Sequence, residues 1–337
     1  MSGLVPLAPP RRNRVLRSGS LRRARCGEAV SARDKAVGID IGGTKIAVAT
    51  VSASGGIVRE ATIPTDAARG FAAAVPRIVD TVKRLLDESG WSAHELQGIG
   101  IGCTGPVDRV RGTILNPHTL PGWQGGDVVS PLRDAFGRPV LLENDADMAL
   151  RGECHAGAGR GFDPVVMLTF GTGIGGAALV HGQVLRGVAG EHPDMGHVSV
   201  DPRGPRCYCG TSGCFESLAS GSALAAAAAA HGLGDARQLL ARAREHEPAA
   251  EGILRDALSA VASATWTIVH ALLPERLILG GGMMDEHYET FAAAAASAVA
   301  RAAMAPPGRI TVARAALGNR AGVLGAASAA LNLRTEE

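Results

Sequence analysis

The 337-residue chain lacks several features that would place it in a specialised class. It contains no run of about twenty consecutive apolar residues, which a bilayer-spanning helix requires, so no membrane span is predicted. Its six cysteines are too few for a disulfide scaffold. A secretory signal would need an uninterrupted apolar segment, but arginines between residues 17 and 25 break the stretch where one would lie. We therefore expect a cytoplasmic protein with no membrane partner.

A large net charge is also missing, and the small one present is unevenly placed. The formal charge is +2, but residues 1–35 hold nine basic and two acidic groups, whereas the rest of the chain holds 25 basic and 30 acidic groups. Residues 1–35 show no helical or strand periodicity, and their composition predicts a disordered basic extension, with an organelle transit peptide as the alternative. Because the remainder is acidic, we expect no nucleic-acid partner.

The remaining composition is that of a chain able to form two sizeable cores. Of its residues, 46% are hydrophobic and 20% charged, and single cores stop growing at about 250–300 residues. Apolar strand patterns alternate with helical ones, as in the helical pattern at 71–86 followed by a strand pattern at 98–102. The predicted fold class is therefore α/β.

A unit made of a strand, a glycine turn and a second strand occurs twice. The first copy spans 36–51 and turns at Gly42-Gly43-Thr44; the second spans 165–180 and turns within 171–176, with its second strand expected from residue 177. The repeat predicts an internal duplication with a cleft between the halves, where small ligands tend to bind.

Glycine turns let backbone N–H groups approach a polyphosphate closely, because glycine lacks a Cβ atom. A third glycine junction, Gly280-Gly281-Gly282, follows another strand pattern. Thr44 and Thr172 offer hydroxyl groups to phosphate, and Asp40, just before the first turn, offers a carboxylate suited to Mg²⁺. One such turn alone more often serves only to close a hairpin, but three together predict a nucleotide site.

An Asn-Asp pair follows the strand pattern at 140–142, just before a helix expected to begin near Met148. Carboxylates at such positions are commonly helix N-caps. The functional interpretation is that Asp145 accepts a proton from a substrate hydroxyl as general base, while Asn144 orients the same substrate.

One histidine and three closely spaced cysteines match a tetrahedral Cys₃His zinc site. They are His197, Cys207, Cys209 and Cys214. Four protein ligands leave no open position, so the predicted metal is structural; free thiols are the alternative. Zinc there would hold Glu216, two residues after the last cysteine, and the segment with Asp194 and His197 beside one pocket.

These motifs together resemble the ROK family of bacterial sugar kinases and repressors, within the actin-like, hexokinase-type ATPase superfamily. The resemblance covers residues 36–331 and rests on two phosphate motifs, an adenosine motif and a zinc signature with every spacing kept. The phosphate motifs are residues 40–45 and 171–176, and the adenosine motif is 280–282. The zinc signature is 196–197 together with 207–216.

The resemblance implies a two-lobed actin-like/ribonuclease H-like ATPase fold, with an interdomain cleft and a zinc-stapled loop. After the extension 1–35, we expect a small α/β lobe at 36–147, closed by a helix at 321–331. The large α/β lobe is expected at 148–320 and holds the zinc loop 197–216. A homodimer is also implied.

The resemblance implies ATP-dependent phosphorylation of the primary hydroxyl of a hexose or hexose-like ring, with Asp145 as the catalytic base. The residues implied to contact ATP and Mg²⁺ are Asp40, Gly42, Gly43, Thr44, Lys45, Gly171, Thr172, Gly173, Gly281 and Gly282. Those implied to contact the sugar are Asn144, Thr119, Asp194, His197 and Glu216. Structural Zn²⁺ is implied at His197, Cys207, Cys209 and Cys214.

The chain departs from the family pattern at two sugar-contacting positions. Asp194 stands where glucose-specific members carry glutamate, and Thr119 replaces an asparagine; the preceding His192-Pro193 looks more like the family's fructokinases. Aspartate reaches one methylene less far than glutamate, and threonine has a smaller hydrogen-bonding capacity than asparagine. The expected substrate is therefore a glucose-like sugar, an amino sugar or a C7-cyclitol.

Two rival functions belong to the same superfamily. A sugar-responsive repressor of this family would carry a helix-turn-helix domain first, but only about 35 residues precede the first strand, and they contain no pair of amphipathic helices. A chaperone-like ATPase is disfavoured by the cysteine loop and the Asn144-Asp145 pair. The sequence therefore favours a sugar kinase.

Overall fold

The computed structural model describes residues 35–333 except Ala53, Ala189 and Pro306. Apart from Lys35, the predicted N-terminal extension therefore lies outside the described residues. None of the described helices combines the length and the apolar composition that crossing a lipid bilayer requires.

The described chain divides into two successive sets of strands and helices. In chain order the first set is β1 (Lys35–Ile41), β2 (Lys45–Val51), β3 (Ile57–Pro64), α1 (Phe71–Ser89), β4 (Leu96–Cys103), β5 (Val107–Asp108), β6 (Thr113–Ile114), β7 (Gly126–Asp127), α2 (Val129–Phe136), β8 (Val140–Asn144) and α3 (Asp145–Ala156). The second set is β9 (Val165–Phe170), β10 (Ile174–Val180), β11 (Gln183–Val184), α4 (Phe215–Ala219), α5 (Gly221–Ala230), α6 (Ala236–Arg244), α7 (Pro248–Leu272), β12 (Arg276–Gly280), α8 (Met284–Ala300), β13 (Thr311–Arg314) and α9 (Ala321–Leu331).

Two five-stranded sheets share one topology. The first sheet has the order β3-β2-β1-β4-β8 and the second β11-β10-β9-β12-β13, while β5, β6 and β7 form a small separate sheet. In both large sheets the first three strands in sequence form an antiparallel meander, and the last two are parallel to the first strand. This repetition is the internal duplication that the two glycine-turn units predict, in a mixed α/β fold.

Each sheet buries its own apolar core. In the first, α1 presents Val82 and Leu85 at helical spacing toward Ile39 and Ile101 of the sheet. In the second, Phe170 at the end of β9 makes edge-to-face contacts with aromatic rings of α4 and α8. The glycine turns that follow β1 and β9 are thus supported by strands whose apolar residues are buried.

The helix that follows each sheet's last strand packs on the other sheet. The apolar face of α3, which follows β8, packs on β9, β10 and β12, and that of α9, which follows β13, packs on β1, β2 and β4. The two helices also approach each other closely: a Cβ on Gly325 would lie 1.7 Å from the Met148 carbonyl oxygen. Glycine at this position is therefore required by the packing.

The structure corrects two sequence-based boundaries. The helix expected to begin near Met148 begins at Asp145, because Asn144 caps it. The strand expected from residue 177 begins at Ile174, so that Gly175 and Gly176 belong to β10 and the turn itself is shorter. The predicted lobe boundary at 147/148 falls within α3, and the division into lobes remains a prediction.

Candidate active site

The first glycine turn is held at the end of β1 by a buried threonine. The Gly42 N–H donates to the Lys45 carbonyl oxygen at 3.0 Å and closes the turn. The hydroxyl of Thr65, which is completely buried, donates to the Gly42 carbonyl oxygen at 2.7 Å, and its N–H donates to the Thr44 carbonyl oxygen at 3.0 Å. Thr44 and Lys45 themselves are exposed. The turn is therefore anchored from behind and open toward solvent, as a phosphate site requires.

The second glycine turn contacts the start of α5. The Gly171 N–H donates to the Gly173 carbonyl oxygen at 2.9 Å, which makes the turn that joins β9 to β10. The Gly221 N–H donates to the Gly171 carbonyl oxygen at 2.9 Å, and the Ser222 hydroxyl donates to the Thr172 carbonyl oxygen at 2.7 Å. The carbonyl groups of this turn are thus already bonded.

The third glycine junction packs against the strand that leads into the second turn. Gly281 has φ of +91°, and a Cβ there would lie 2.3 Å from the Phe170 carbonyl oxygen. The Met283 N–H donates to the same oxygen at 3.1 Å. Two of the three glycine segments predicted to contact a nucleotide therefore lie next to each other at the end of β9, with Gly281 and Gly282 exposed.

Asp145 is the first residue of α3, and Asn144 is its N-cap. The Asn144 Oδ1 accepts from the Ala146 N–H at 2.8 Å and from the Asp147 N–H at 3.4 Å, so its amide NH₂ group is the part left to donate to a substrate. A Cβ on Gly175 would lie 3.6 Å from the Ala146 Cβ. The start of α3, with the predicted base, therefore lies beside the strand that leaves the second glycine turn.

Asp40 and Asp145 form an electrostatically coupled pair. Protein surrounds both carboxyl groups densely, although each keeps some contact with solvent. Burial raises the pKa of Asp145; burial and the charge of Asp145 raise the pKa of Asp40 to about 7, against the opposing effect of Lys45. Hard carboxylate oxygens at such a position fit Mg²⁺, whose charge would relieve this repulsion.

The raised pKa of Asp40 predicts how stability depends on pH in the protein free of nucleotide and Mg²⁺. The pKa of Asp40 is about 7 in the folded state and 3.8 ordinarily, so between pH 4 and pH 7 the folded state keeps a proton that the unfolded state has lost. The folded state therefore loses stability as the pH rises through this range. We expect Asp40→Asn to raise the free energy of unfolding at pH 8 by on the order of a few kcal/mol and to have no such effect at pH 4. Thermal unfolding at both pH values measures this, and a variant less stable than wild type at pH 8 would contradict it.

Thr119 reaches the first glycine turn because Asn116 shapes its loop. The buried Asn116 Oδ1 accepts from the N–H groups of His118 and Thr119 at 2.8 and 3.0 Å, and its Nδ2 donates to the Thr119 hydroxyl at 2.6 Å. A Cβ on Gly43 would lie 3.3 Å from the Thr119 Cβ. Asn116 was missed by the sequence reasoning, although an asparagine three residues before a turn often bonds to its own backbone.

The predicted metal ligands converge. Ligand atoms of His197, Cys207, Cys209 and Cys214 all lie within 4.8 Å of one another, with the Cys209 and Cys214 sulfur atoms 3.2 Å apart. Burial raises the pKa of Cys214 to about 12, whereas the Thr211 N–H lowers the pKa of Cys209. Three thiols and one imidazole at these separations fit tetrahedral Zn²⁺, bound at about 2.0–2.3 Å from each ligand atom.

The imidazole of His197 faces the cysteine cluster with one nitrogen and a polar group with the other. Its Nδ1 lies 3.5 Å from the Cys207 sulfur, while its Nε2 lies 3.0 Å from the Tyr208 hydroxyl and 3.5 Å from Asp194 Oδ2. Burial raises the pKa of Tyr208, and the charge of Glu216 adds to this. Tyr208 was missed by the sequence reasoning because it stands between two predicted ligands and is not itself part of the ligand pattern.

Glu216 connects the cysteine loop to the second glycine turn. Its Oε2 accepts from the Ile174 N–H at 2.8 Å, and a Cβ on Gly173 would lie 2.4 Å from the same oxygen. The predicted sugar ligand Glu216 is therefore fixed by the first residue of β10, next to a predicted phosphate-binding turn.

An ion network around the buried carboxylates of Glu143 and Asp147 lies next to the Asn-Asp pair and was also missed. Arg109 binds Glu143 through two hydrogen bonds of 2.6 and 2.5 Å, and Arg186 bridges Glu143 and the fully buried Asp147. The His192 Nδ1 lies 3.0 Å from Asp147 Oδ1. Burial lowers the pKa of His192, but the hydrogen bond and charge of Asp147 outweigh it, so the pKa is raised overall. The network holds the start of α3 against the segment before Asp194.

Known proteins similar to this chain include sugar kinases. A glucokinase from Thermotoga maritima is 35% identical over 265 residues, which cover 74% of this chain and 82% of the relative. An N-acetylmannosamine kinase from Citrobacter koseri is 33% identical over 246 residues, covering 73% of this chain and 82% of the relative. The solved structure of a ROK family glucokinase from Streptomyces griseus, in complex with glucose and AMPPNP, is 31% identical with a TM-score of 0.69, over 88% of this chain and 98% of that one.

The family model agrees with the motifs and with the fold. The model of the ROK family matches residues 36–332, which include both sheets, both glycine turns and the cysteine loop. With this match over most of its length, the chain belongs to the ROK family.

Proposed function

We propose that this chain transfers the γ-phosphoryl group of ATP to the primary hydroxyl of a hexose or hexose-like ring. The chain is an ATP-dependent sugar kinase by its family and its kinase relatives. The observation that carries the finer proposal is the position of Asp145. Asp145 is the first residue of α3, beside the strand that leaves the second glycine turn. Its charge also raises the pKa of Asp40, which lies at the first glycine turn.

Asp145 acts as general base in this proposal. Burial raises its pKa, which makes it a stronger proton acceptor than an exposed carboxylate at the same pH. As the O–H proton of the sugar passes to Asp145, the oxygen attacks the γ-phosphorus in line, and the bond to the ADP oxygen breaks. The N–H groups of the glycine turns other than those of Gly42 and Gly171, which close the turns, stabilise charge on the phosphate oxygens. Asp40 would hold Mg²⁺ or its waters, and the ion would supply positive charge to the phosphates.

The remaining polar groups orient the ring. The Asn144 amide and the Thr119 hydroxyl lie on the side of the first sheet, whereas Asp194, His197 and Glu216 lie on the side of the cysteine loop. His197, Cys207, Cys209 and Cys214 would hold Zn²⁺ as a structural ion. The His197 Nδ1 faces the Cys207 sulfur, while its Nε2 faces Tyr208. Asp194 is one methylene shorter than the glutamate of glucose-specific family members. This difference supports a substrate that is a glucose-like sugar, an amino sugar or a C7-cyclitol.

A substrate panel tests the proposal. Hexoses, amino sugars, N-acetyl sugars and cyclitols are offered with ATP and Mg²⁺, and release of ADP is followed by a coupled assay. We expect ADP to be released only when one class of ring is present. We also expect ³¹P NMR of the product to show the phosphate on the primary hydroxyl. Release of ADP at the same rate with and without every ring would contradict a sugar kinase of this specificity.

The resemblance supports three further proposals for the whole molecule: the lobe boundaries given above, a homodimer and a cytoplasmic location. Light scattering tests the second, since a dimer has twice the 34.4 kDa mass of the chain.

A further inference from the structure

Tyr208 lies on a rigid part of the cysteine loop. It stands between Cys207 and Cys209, two of the four residues that converge on the metal position. The Cys207 N–H donates to the Thr211 carbonyl oxygen at 2.8 Å, and Arg206 pairs with Ser212 in a short antiparallel bridge. The backbone of Tyr208 is therefore fixed, and its side chain points in a defined direction.

The hydroxyl of Tyr208 contacts one proposed sugar ligand and lies near a second. It is 3.0 Å from the His197 Nε2, and the charge of the Glu216 carboxylate contributes to the raised pKa of the phenol. With Nδ1 as a metal ligand, the neutral imidazole of His197 would carry its proton on Nε2 and would donate it to the phenol oxygen.

The ring of Tyr208 closes this end of the site. Its centroid lies 5.0 Å from that of His197, edge-on, and 5.4 Å from that of His118, which belongs to the loop bearing Thr119. The phenol thus spans from the cysteine loop to the loop of the first sheet. The phenol hydroxyl stands within hydrogen-bonding distance of the His197 Nε2, so a bulky substituent that approaches this nitrogen meets the phenol. The outer face of the residue is open, with 69% of its surface exposed.

We propose that Tyr208 is a specificity-determining residue that limits the C2 substituent of the sugar to a hydroxyl or a primary amine and excludes N-acyl groups. This inference rests on the proposed function: a six-membered ring whose primary hydroxyl, carried on C5, meets Asp145 presents C2 at its opposite end. An acetamido group adds a carbonyl and a methyl beyond the nitrogen, and these atoms would overlap the phenol. The relatives include both a glucokinase and an N-acetylmannosamine kinase, so this choice is made by side chains and not by the fold.

Two variants separate the bulk of the side chain from its hydroxyl. Tyr208→Phe keeps the ring, whereas Tyr208→Ala opens the end of the site to solvent; both replace an exposed residue and should fold. The measurement is the ratio of kcat/KM for glucosamine over N-acetylglucosamine, and for mannosamine over N-acetylmannosamine. We expect the wild-type preference for the free amine to persist within about threefold in Tyr208→Phe and to fall at least about tenfold in Tyr208→Ala.

Binding and metal content complete the test. Calorimetry should detect N-acetylglucosamine binding to Tyr208→Ala but not to wild type, with one equivalent of zinc retained in both. Unchanged discrimination in Tyr208→Ala, equal loss in both variants, or a wild-type enzyme indifferent to N-acetylation would each overturn the role of Tyr208. By contrast, a wild-type enzyme that phosphorylates no ring at all would contradict the proposed function itself.

Discussion

Asp145→Asn is expected to lower kcat by about 10²–10⁴-fold, the usual effect of losing a general base. Asparagine has the same shape as aspartate and still fits the first turn of α3, but its amide cannot accept the proton of the sugar hydroxyl. Steady-state kinetics on the best ring of the panel measures kcat, and calorimetry with a non-hydrolysable ATP analogue measures nucleotide binding. We expect nucleotide affinity to change little, because the glycine turns are untouched.

The matched control is Asp134→Asn, which removes one carboxylate from the exposed surface of α2. It should leave kcat at the wild-type value. In the wild type, kcat/KM should fall on the acid side at a pH above the ordinary carboxyl range, because burial raises the pKa of Asp145. An Asp145→Asn enzyme with wild-type kcat would remove Asp145 from the role of base.

Cys214→Ser is expected to abolish binding of one equivalent of zinc per chain and, with it, sugar affinity. Free energies of binding for structural zinc are about 10–16 kcal/mol in isolated zinc-finger peptides, and this energy holds the local fold. Cys214 is also the N-cap of α4, which carries Glu216. Because serine is a good N-cap, the substitution removes the thiolate while preserving the start of α4. Mass spectrometry of bound metal and calorimetry of sugar binding measure the two effects.

Cys154→Ala provides the control for a cysteine outside the cluster. Cys154 is buried in α3, so its loss should reduce stability modestly but leave zinc content unchanged. The prediction fails if purified wild-type protein, prepared without chelator, binds no zinc, or if Cys214→Ser retains a full equivalent.

Features encoded by short stretches of sequence could be predicted well. The glycine turns and the spacing of Cys207, Cys209 and Cys214 are local patterns, and the structure brings these three cysteines together with His197 as predicted. Two elements, Val165–Phe170 and Ala321–Leu331, have the predicted bounds, since each is a continuous apolar run ended by glycine or polar residues. The helix α3 begins three residues before the predicted position because the Asn144 side chain accepts from the Ala146 and Asp147 N–H groups and caps it.

Contacts between distant residues could not be predicted in this way. Thr65 supports the first glycine turn from 23 residues away, and Arg186 reaches Glu143 from 43 residues away. Neither pair shows a periodic or spaced signal that a single sequence can reveal. The edge strand β3 alternates exposed and half-buried residues with several charged or polar ones, which weakens its apolar pattern. The missed residues thus depend on tertiary packing rather than on local pattern.

The exchange of α3 and α9 between the sheets has a consequence for folding cooperativity. Because α9 supplies part of the apolar cover of the first sheet and α3 part of that of the second, neither half can complete its core alone. A fragment ending at Ala156 would expose the face of β1, β2 and β4 that α9 buries. The two sheets should therefore unfold in one transition. A destabilising substitution in either half should then lower the free energy of unfolding of the whole molecule.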